Sequence, residues 1–150
     1  MSSDDENFMR EALLEAKKAF ALGEVPVGAV LVSDGKIIAR AHNVVEQNGD
    51  ASCHAELLCL QRGAKELNNW RLLECTLYCT LEPCAMCAGA MTLFRIQRLV
   101  YGAPDLRYGS RPIDSIEVTS GVCEEEAGNL LKGFFRKRRK SIVPACLPEN

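Results

Sequence analysis

The sequence predicts an α/β fold, a three-layer α/β/α sandwich built on a five-stranded mixed sheet. Near the N-terminus, two short segments flank the turn signal Ser33-Asp34-Gly35, which predicts an antiparallel hairpin. Further along, helical and strand patterns alternate, and this alternation predicts a parallel βαβ crossover whose helices cover the sheet. The length of 150 residues fits one domain, which we place at 1–140, and we expect a disordered tail at 141–150.

The first third of the chain contains a helix and the hairpin. The capping-box pattern Ser3-Asp4-Asp5-Glu6 indicates where the first helix begins, and Gly23 indicates its end. Residues 27–32 are apolar and rich in β-branched side chains, which predicts the first strand of the hairpin. Residues 36–41 follow the turn as the second strand, and the polar stretch 43–52 is predicted to be a loop.

Helices and strands alternate through the rest of the chain. The predicted elements, in order, are a helix from about residue 53, a strand at 75–80, a helix at 84–94, strands at 99–102 and 116–119, and a helix at 124–140. Apolar faces are predicted on the first and last of these helices, made of Leu57, Leu58, Leu60 and Ala64 and of Leu130, Leu131, Phe134 and Phe135.

The composition is that of a globular protein with no membrane span. The chain has no run of about 18 apolar residues, the length that a spanning helix needs. Residues 1–6 are acidic and lack the apolar stretch of a secretion signal, so a cytoplasmic location is expected. The eight cysteines are therefore expected to be reduced thiols.

Positive charge is concentrated in one segment near the C-terminus. The net charge is −2, and it would be −7 without the five basic residues of the run 136–140. A basic segment on an otherwise acidic protein is a candidate for phosphate contacts. The alternative is a solvated helix end, where cations also complement the helix dipole.

Four residues indicate a catalytic metal site. The chain carries His54 and Glu56 two positions apart, and Cys84 and Cys87 three positions apart directly after Pro83. One imidazole and two thiolates supply three zinc ligands, which leaves one tetrahedral position for water, as in catalytic rather than structural zinc sites. Zinc lowers the pKa of such a water toward neutrality, and Glu56 could move protons without binding the metal.

The spacing suits ligands at the starts of two helices. His54 and Glu56 are predicted on the first turn of one helix, and Pro83 is predicted to open the next. Cys84 and Cys87 would then share one helical face, where the helix N-terminus favours thiolates. A thioredoxin-like redox pair is the alternative for a C-x-x-C motif, but it leaves the His54–Glu56 pair without a role.

The motif H-x-E followed by P-C-x-x-C resembles the zinc-dependent nucleobase deaminases. The chain resembles the cytidine deaminase superfamily, and within it the bacterial tRNA adenosine deaminases. Apart from His54-Ala55-Glu56, the matching segments are 24–30, 41–43, 70–72, 80–91, 101–103, 117–122 and 134–136. The resemblance covers roughly residues 5–140, and the twelve-residue run at 80–91 is its most specific part.

The resemblance implies a cytidine deaminase-like fold, one zinc per chain and deamination of adenosine to inosine at the wobble position of a tRNA anticodon. It assigns zinc to His54, Cys84 and Cys87, and proton transfer to Glu56. It also implies a homodimer. The apolar run that contains Met91, Leu93, Phe94 and Ile96 would then lie near the interface, or else fill the core beneath the sheet.

Substrate contacts follow from the same resemblance. Asn43 matches the residue that hydrogen-bonds the target base, and Asp105 matches an acidic residue beside the sugar. The alternative role for both is to cap a turn or loop. Backbone groups of Leu81 and Glu82 could polarise the base. The expected contacts to the anticodon stem-loop are Arg107, Arg111, Phe135, Arg136, Arg138 and Arg139.

Two segments depart from the family pattern. The loop after Asp105 is shorter than usual, since only residues 106–116 precede Glu117, and residues 50–53 differ before the ligand histidine. The short loop and acidic charge leave open a deaminase of free bases or nucleosides such as cytosine or guanine. A single-stranded DNA deaminase and an inactive zinc scaffold are further alternatives, although Glu56 argues against the scaffold.

Overall fold

The computed structural model describes residues 3–141. Its elements are α1 (Ser3–Ala21), β1 (Gly28–Ser33), β2 (Lys36–His42), α2 (Val45–Asn48), α3 (Ala55–Leu67), β3 (Cys75–Leu81), α4 (Ala85–Phe94), β4 (Arg98–Ala103), β5 (Glu117–Thr119) and α5 (Glu124–Ser141). Helix α5 runs one residue into the expected tail, and the rest of that tail, 142–150, lies outside the described residues.

The five strands form one mixed sheet in the order β2-β1-β3-β4-β5. Strand β1 is antiparallel to both β2 and β3, whereas β3, β4 and β5 are mutually parallel. The hairpin turn places Asp34 and Gly35 at φ of 52° and 73°, the backbone of the turn that suits the twist of a two-residue hairpin. The predicted five-stranded mixed sheet is thus confirmed.

Helices cover both faces of the sheet, as predicted. Side chains alternate across each strand, so Leu31 and Leu77 join the core beneath α3 and α4. Val30, Tyr78 and Val100 belong to a second core cluster on the opposite face, where α1 packs. Helix α5 packs beside α1 against β3 and β4. Within the described residues, no helix is long and apolar enough to cross a membrane.

Hydrogen bonds to the buried carboxylate of Asp5 hold α1 against the sheet. The carboxylate of Asp5, which the sequence placed in a capping box, accepts hydrogen bonds from both terminal nitrogens of Arg98 at 2.9 and 2.8 Å. It also accepts the hydroxyl of Tyr78 at 2.8 Å. This bidentate pair and the phenol hydrogen bond satisfy a carboxylate that would otherwise be costly to bury.

One predicted element was wrong, and two predicted apolar faces are partly confirmed. The predicted loop at 43–52 contains the short helix α2. In α3, Leu60 is buried, and Leu57, Leu58 and Ala64 are half-buried and pack against the core, but Cys59 and Gly63 are also buried. In α5, Phe134 is buried, whereas Phe135 is exposed. The seven cysteines within residues 3–141 form no disulfide, in line with reduced thiols.

Candidate functional site

The candidate site lies where strand ends meet helix starts. Strand β2 leads to Asn43 and strand β3 leads to Glu82, while His54 and Cys84 stand at the N-caps of α3 and α4. Both N-cap residues have extended backbones, with ψ of 146° for His54 and 174° for Cys84. They therefore precede their helices instead of lying on the first turn, and Pro83 lies before the cap instead of opening the helix.

Three donor atoms converge at this point. The Nδ1 of His54 lies 3.5 Å from the Sγ of Cys84 and 3.7 Å from the Sγ of Cys87. A tetrahedral zinc with its usual bond lengths holds nitrogen and sulfur ligands about 3.6 Å apart. The three residues thus fit zinc, and they form a potential metal-binding cluster among the described residues.

The protonation states of these groups suit a cation. Burial lowers the pKa of His54, which keeps its imidazole neutral and able to bind a metal. Burial raises the pKa of the Cys87 thiol, so a thiolate at this place needs a positive charge beside it. A divalent cation bound between these residues would supply that positive charge.

Glu56 lies beside the cluster but is not part of it. Its side chain is almost fully buried, and its Oε1 atom has no hydrogen-bond partner in the described part of the chain. Burial raises the pKa of Glu56 to about 7, against the opposing hydrogen bonds from its own backbone and from Cys87. A buried carboxyl with an unpaired oxygen is costly for the fold, and such groups occur most often at functional sites.

Asn43 and Glu24 hold the surrounding backbone in place. The Oδ1 of Asn43 accepts a 2.8 Å hydrogen bond from the backbone of Ala55, the first residue of α3. The buried carboxylate of Glu24 accepts hydrogen bonds from the backbone nitrogens of Glu46 and Gln47 at 3.0 and 2.8 Å. It thereby caps the first turn of α2, which has no cap from its own N-cap side chain.

A cavity of about 630 Å³ opens onto the cluster. The predicted site residues that line it are Asn43, His54, Glu56, Leu81, Glu82, Cys84, Asp105 and Arg138. Several lining residues were not predicted, namely Glu24, Val25, Val27, Val45, Glu46, Ala51, Ala85, Met86 and Tyr108. Cys87 is fully buried behind this lining.

The loop after β4 is hydrogen-bonded to the ligand loop, residues 82–84, which joins β3 to α4 and contains Cys84. The Oε1 of Glu82 accepts the backbone N–H of Asp105 at 3.0 Å. In turn, Oδ1 of Asp105 accepts the backbone N–H groups of Arg107 and Tyr108, each at 3.0 Å. The loop-capping role that the sequence left open for Asp105 is therefore present, and Asp105 also lines the cavity.

The predicted nucleic-acid contacts are only partly brought together. Arg138 reaches the cavity from α5, whereas Arg136 and Arg139 are exposed elsewhere on the same helix. Arg107 and Arg111 are exposed on the loop after β4 and do not line the cavity. Phe135, also exposed, stacks edge-on against Phe134, with ring centroids 5.3 Å apart.

Comparison with known proteins agrees with this geometry. Residues 2–103 match the family model of the cytidine and deoxycytidylate deaminase zinc-binding region. The chain belongs to this deaminase family. The tRNA-specific adenosine deaminase of Bacillus subtilis strain 168 is 49% identical over 149 residues, which cover 92% of each chain. The protein is accordingly a zinc-dependent hydrolytic deaminase, as predicted.

Two solved structures of this deaminase family share the fold. One comes from a study of A-to-I editing by tRNA:A34 deaminases at the wobble position; it is 41% identical, with a TM-score of 0.79, and the match covers 83% of this chain and 99% of that one. The other is the guanine deaminase of Nitrosomonas europaea, at 26% identity and a TM-score of 0.78, covering 86% and 83%. The predicted cytidine deaminase-like architecture is confirmed by both.

Proposed function

We propose that the protein deaminates adenosine to inosine at the wobble position of a tRNA anticodon. The observation that carries the chemistry is the unpaired Oε1 of Glu56 in the same cavity as His54 and Cys84. The choice of substrate is supported by the Bacillus subtilis relative, which bears the name tRNA-specific adenosine deaminase. The chain covers 92% of that relative, so the similarity extends over nearly its whole length.

His54, Cys84 and Cys87 would hold the zinc ion, which supplies Lewis-acid activation of a water molecule. Glu56 then carries protons at its free Oε1 atom. It accepts one proton from the attacking water and delivers it to the ring nitrogen beside the attacked carbon. It then accepts the remaining proton of the added oxygen and delivers it to the amine, which departs as ammonia. Because no described residue competes for Oε1, the carboxyl can exchange protons with the substrate alone.

Asn43 and the β3 end would orient the base. The Oδ1 of Asn43 is already used by Ala55, so its amide nitrogen is the group that could donate to a base acceptor. Leu81 and Val27 offer apolar walls. The backbone N–H of Glu82 donates a 2.8 Å hydrogen bond to the carbonyl of Ala103, so it is not available to the base. The carbonyl of Glu82 and the backbone of Leu81 are therefore the groups that would polarise the base.

A tRNA loop suits this cavity for two reasons. Arg138 reaches the cavity, and the neighbouring basic residues of α5 give a path for the phosphate backbone. A base in an RNA loop is already partly unstacked, so flipping it into the cavity costs little. In this arrangement Asp105 would lie beside the sugar, while Arg107, Arg111, Phe135, Arg136 and Arg139 would contact the stem-loop.

The substrate can be tested with one panel. Zinc-loaded protein is incubated with an unmodified tRNA that has adenosine at the wobble position, the same tRNA with guanosine there, free adenosine, cytosine, guanine and a single-stranded DNA. We expect inosine only in the tRNA with the wobble adenosine, detected by nucleoside mass spectrometry. Ammonia release from guanine or cytosine without tRNA editing would instead support a free-base deaminase, as in the Nitrosomonas europaea relative.

A homodimer is also proposed. Of the apolar run predicted at an interface, Met91 and Ile96 are buried in the core, but the side chain of Leu93 is 74% exposed. Leu93 shares a surface groove with Trp70 and Ile113, which are also exposed. Three exposed large apolar side chains in one groove are typical of a protein–protein contact.

The dimer can be tested by sedimentation. Wild type at micromolar concentration should sediment at twice the 16.5 kDa chain mass. Leu93→Lys should shift the protein to monomer, because it places a charge in the groove. Leu22→Lys, a change at another exposed leucine outside that groove, should leave the dimer intact. A wild-type monomer would contradict the proposal.

A further inference from the structure

We propose that Tyr108 is a stacking platform for the nucleotide next to the target adenosine. This inference rests on the proposed RNA substrate and adds a residue that neither the sequence motifs nor the zinc chemistry assigns. Tyr108 lies on the loop after β4, three residues beyond Asp105. Its role would be to position the RNA, because it does not touch the metal cluster.

Tyr108 occupies the rim of the cavity. Its side chain lines the cavity, yet the residue is 65% exposed, so the ring faces both the cavity mouth and solvent. Among the described residues that line this cavity, Tyr108 is the only aromatic one. A base that enters the cavity would lie near this residue, and the neighbouring base of the same strand would stay outside, within reach of the ring.

The loop presents the ring from a fixed backbone. The backbone N–H of Tyr108 donates to Oδ1 of Asp105 at 3.0 Å, and the N–H of Gly109 donates to the Asp105 carbonyl at 2.9 Å. The N–H of Ser110 donates to the carbonyl of Pro83 at 2.9 Å, and Gly109 forms a bridge to Cys84. The turn that carries Tyr108 is thus joined to the loop that carries a zinc ligand.

Because residue 109 is a glycine, the turn can pack closely against the side chain of Glu82. A side chain there would overlap the carbonyl of Asp105 and the carboxylate of Glu82. The same glutamate already accepts the N–H of Asp105. The backbone that carries Tyr108 is therefore held at a set distance from the ligand loop, as a positioning residue requires.

A stacking platform would replace a contact that the RNA loses when the target base flips out. Flipping one nucleotide out of a loop removes the stacking partner of its neighbour, and proteins that bind single-stranded RNA replace this contact with aromatic rings. The guanidinium of Arg107 lies 5.6 Å from the centroid of the Tyr108 ring. The guanidinium lies over one face of the ring, so a base would stack on the other face, and Arg107 would supply a cation near its phosphate.

The test is direct binding of an anticodon stem-loop with 2-aminopurine next to the target adenosine. All proteins carry Glu56→Gln, which suppresses turnover during the measurement, and stacking is read as quenching of the 2-aminopurine fluorescence. Tyr108→Ala should abolish the quenching and raise Kd about 5- to 100-fold, the range expected for one lost base–aromatic stack. Tyr108→Phe should retain both, because the ring is kept.

Leu106→Ala is the matched control. Leu106 is 97% exposed on the same turn and does not line the cavity, so its loss should change neither Kd nor quenching. With Glu56 intact, Tyr108→Ala should raise KM for the stem-loop and leave kcat within about threefold, because zinc and proton transfer lie elsewhere.

The outcomes separate this inference from the proposed function. If the Glu56→Gln parent does not bind the stem-loop and the protein with Glu56 intact does not edit it, the RNA substrate itself is wrong. If the parent binds the stem-loop and the protein with Glu56 intact edits it, but Tyr108→Ala keeps the parental Kd and quenching, only the stacking platform is overturned. An equal loss in Tyr108→Phe and Tyr108→Ala would also overturn it, since stacking needs only the ring.

Discussion

The Oδ1 atom of Asn43 accepts a hydrogen bond of 2.8 Å from the backbone N–H of Ala55, twelve residues further along the chain. Asn43 follows strand β2, and Ala55 directly follows His54, the proposed zinc ligand. The contact therefore joins the end of the hairpin to the start of α3. It sets the place of His54 relative to the cavity wall and gives Asn43 a structural role alongside any contact with substrate.

Two substitutions should separate these roles of Asn43. Asn43→Ala removes the partner of a buried N–H, which should lower the free energy of unfolding by about 1–3 kcal/mol. Asn43→Asp keeps an acceptor for that N–H but removes the amide donor. It should retain more stability while losing substrate affinity. Thermal unfolding and KM measured on both variants check this, and unchanged KM in Asn43→Asp would contradict the substrate contact.

Zinc content should depend on Cys87. Wild-type protein is expected to contain about one zinc per chain, and Cys87→Ser should lose most of it because an alcohol is a poorer zinc ligand than a thiolate. Cys123→Ser, a change at a half-buried cysteine outside the cluster, should keep the wild-type zinc content. Elemental analysis of the purified proteins gives the answer. Full zinc in Cys87→Ser would exclude the assigned ligand set.

Glu56→Gln should remove activity without removing the fold. The side chain keeps its shape, but it can no longer accept and release a proton, so turnover should fall about 10²–10⁴-fold or more. Zinc content should stay at the wild-type level. Because the substitution replaces a buried ionisable group, the melting temperature should stay equal or rise. Deamination within a few-fold of wild type would show that another group moves the protons.

Stability toward acid should depend on Glu15. Burial raises the pKa of this carboxyl, but hydrogen bonds from Lys18, His42 and Arg40 outweigh burial and lower the pKa from 4.5 to about 2. Because the folded-state pKa is lower than the unfolded-state pKa, the ionised carboxylate stabilises the fold at pH values above 4.5. This stabilisation is lost as the pH falls from 4.5 to about 2. The contribution is about 3 kcal/mol, following about 1.4 kcal/mol per pKa unit.

Urea unfolding between pH 5 and pH 2 tests this effect. Wild type should lose stability over this range, and Glu15→Gln should begin less stable and lose less. Glu66→Gln, a change at an exposed carboxyl, should keep the wild-type pH dependence. Parallel curves for wild type and Glu15→Gln would show that other carboxylates control the acid transition.

The zinc motif and the sheet could be predicted because their signals are local. Asp34 and Gly35 specify a hairpin turn by themselves, and the spacing of Cys84 and Cys87 brings two thiols together whether or not Cys84 is helical. Helix α2 could not be predicted in this way. Its N-terminal turn is capped by Glu24, 22 residues upstream of Glu46, and no local pattern encodes that contact.

The position of the turn at the cavity rim also could not be predicted from local sequence patterns. Asp105 was predicted beside the substrate only through the family resemblance, and Tyr108 looks like an ordinary loop residue in the sequence. Only the hydrogen bond from Asp105 to Glu82, across 23 positions, places their turn against the ligand loop. In α3, the helical period alone could not decide between Leu58 and Cys59 as the buried residue, because the sheet fixes the rotation of the helix.

The basic run of α5 gives the last prediction. Arg138 lies at the cavity, and Arg139 is the next exposed residue of α5 although it does not line the cavity, so we expect both to contact phosphates of a bound stem-loop. Each lost phosphate contact should flatten the slope of log K against log salt by about 0.7–0.9. Replacing both arginines by alanine should therefore raise KM for tRNA and reduce this slope. Replacing Lys36 and Lys65 by alanine removes the same charge away from the cavity and should leave both unchanged. Wild-type KM and slope after loss of both arginines would mean that the run is only a solvated helix end.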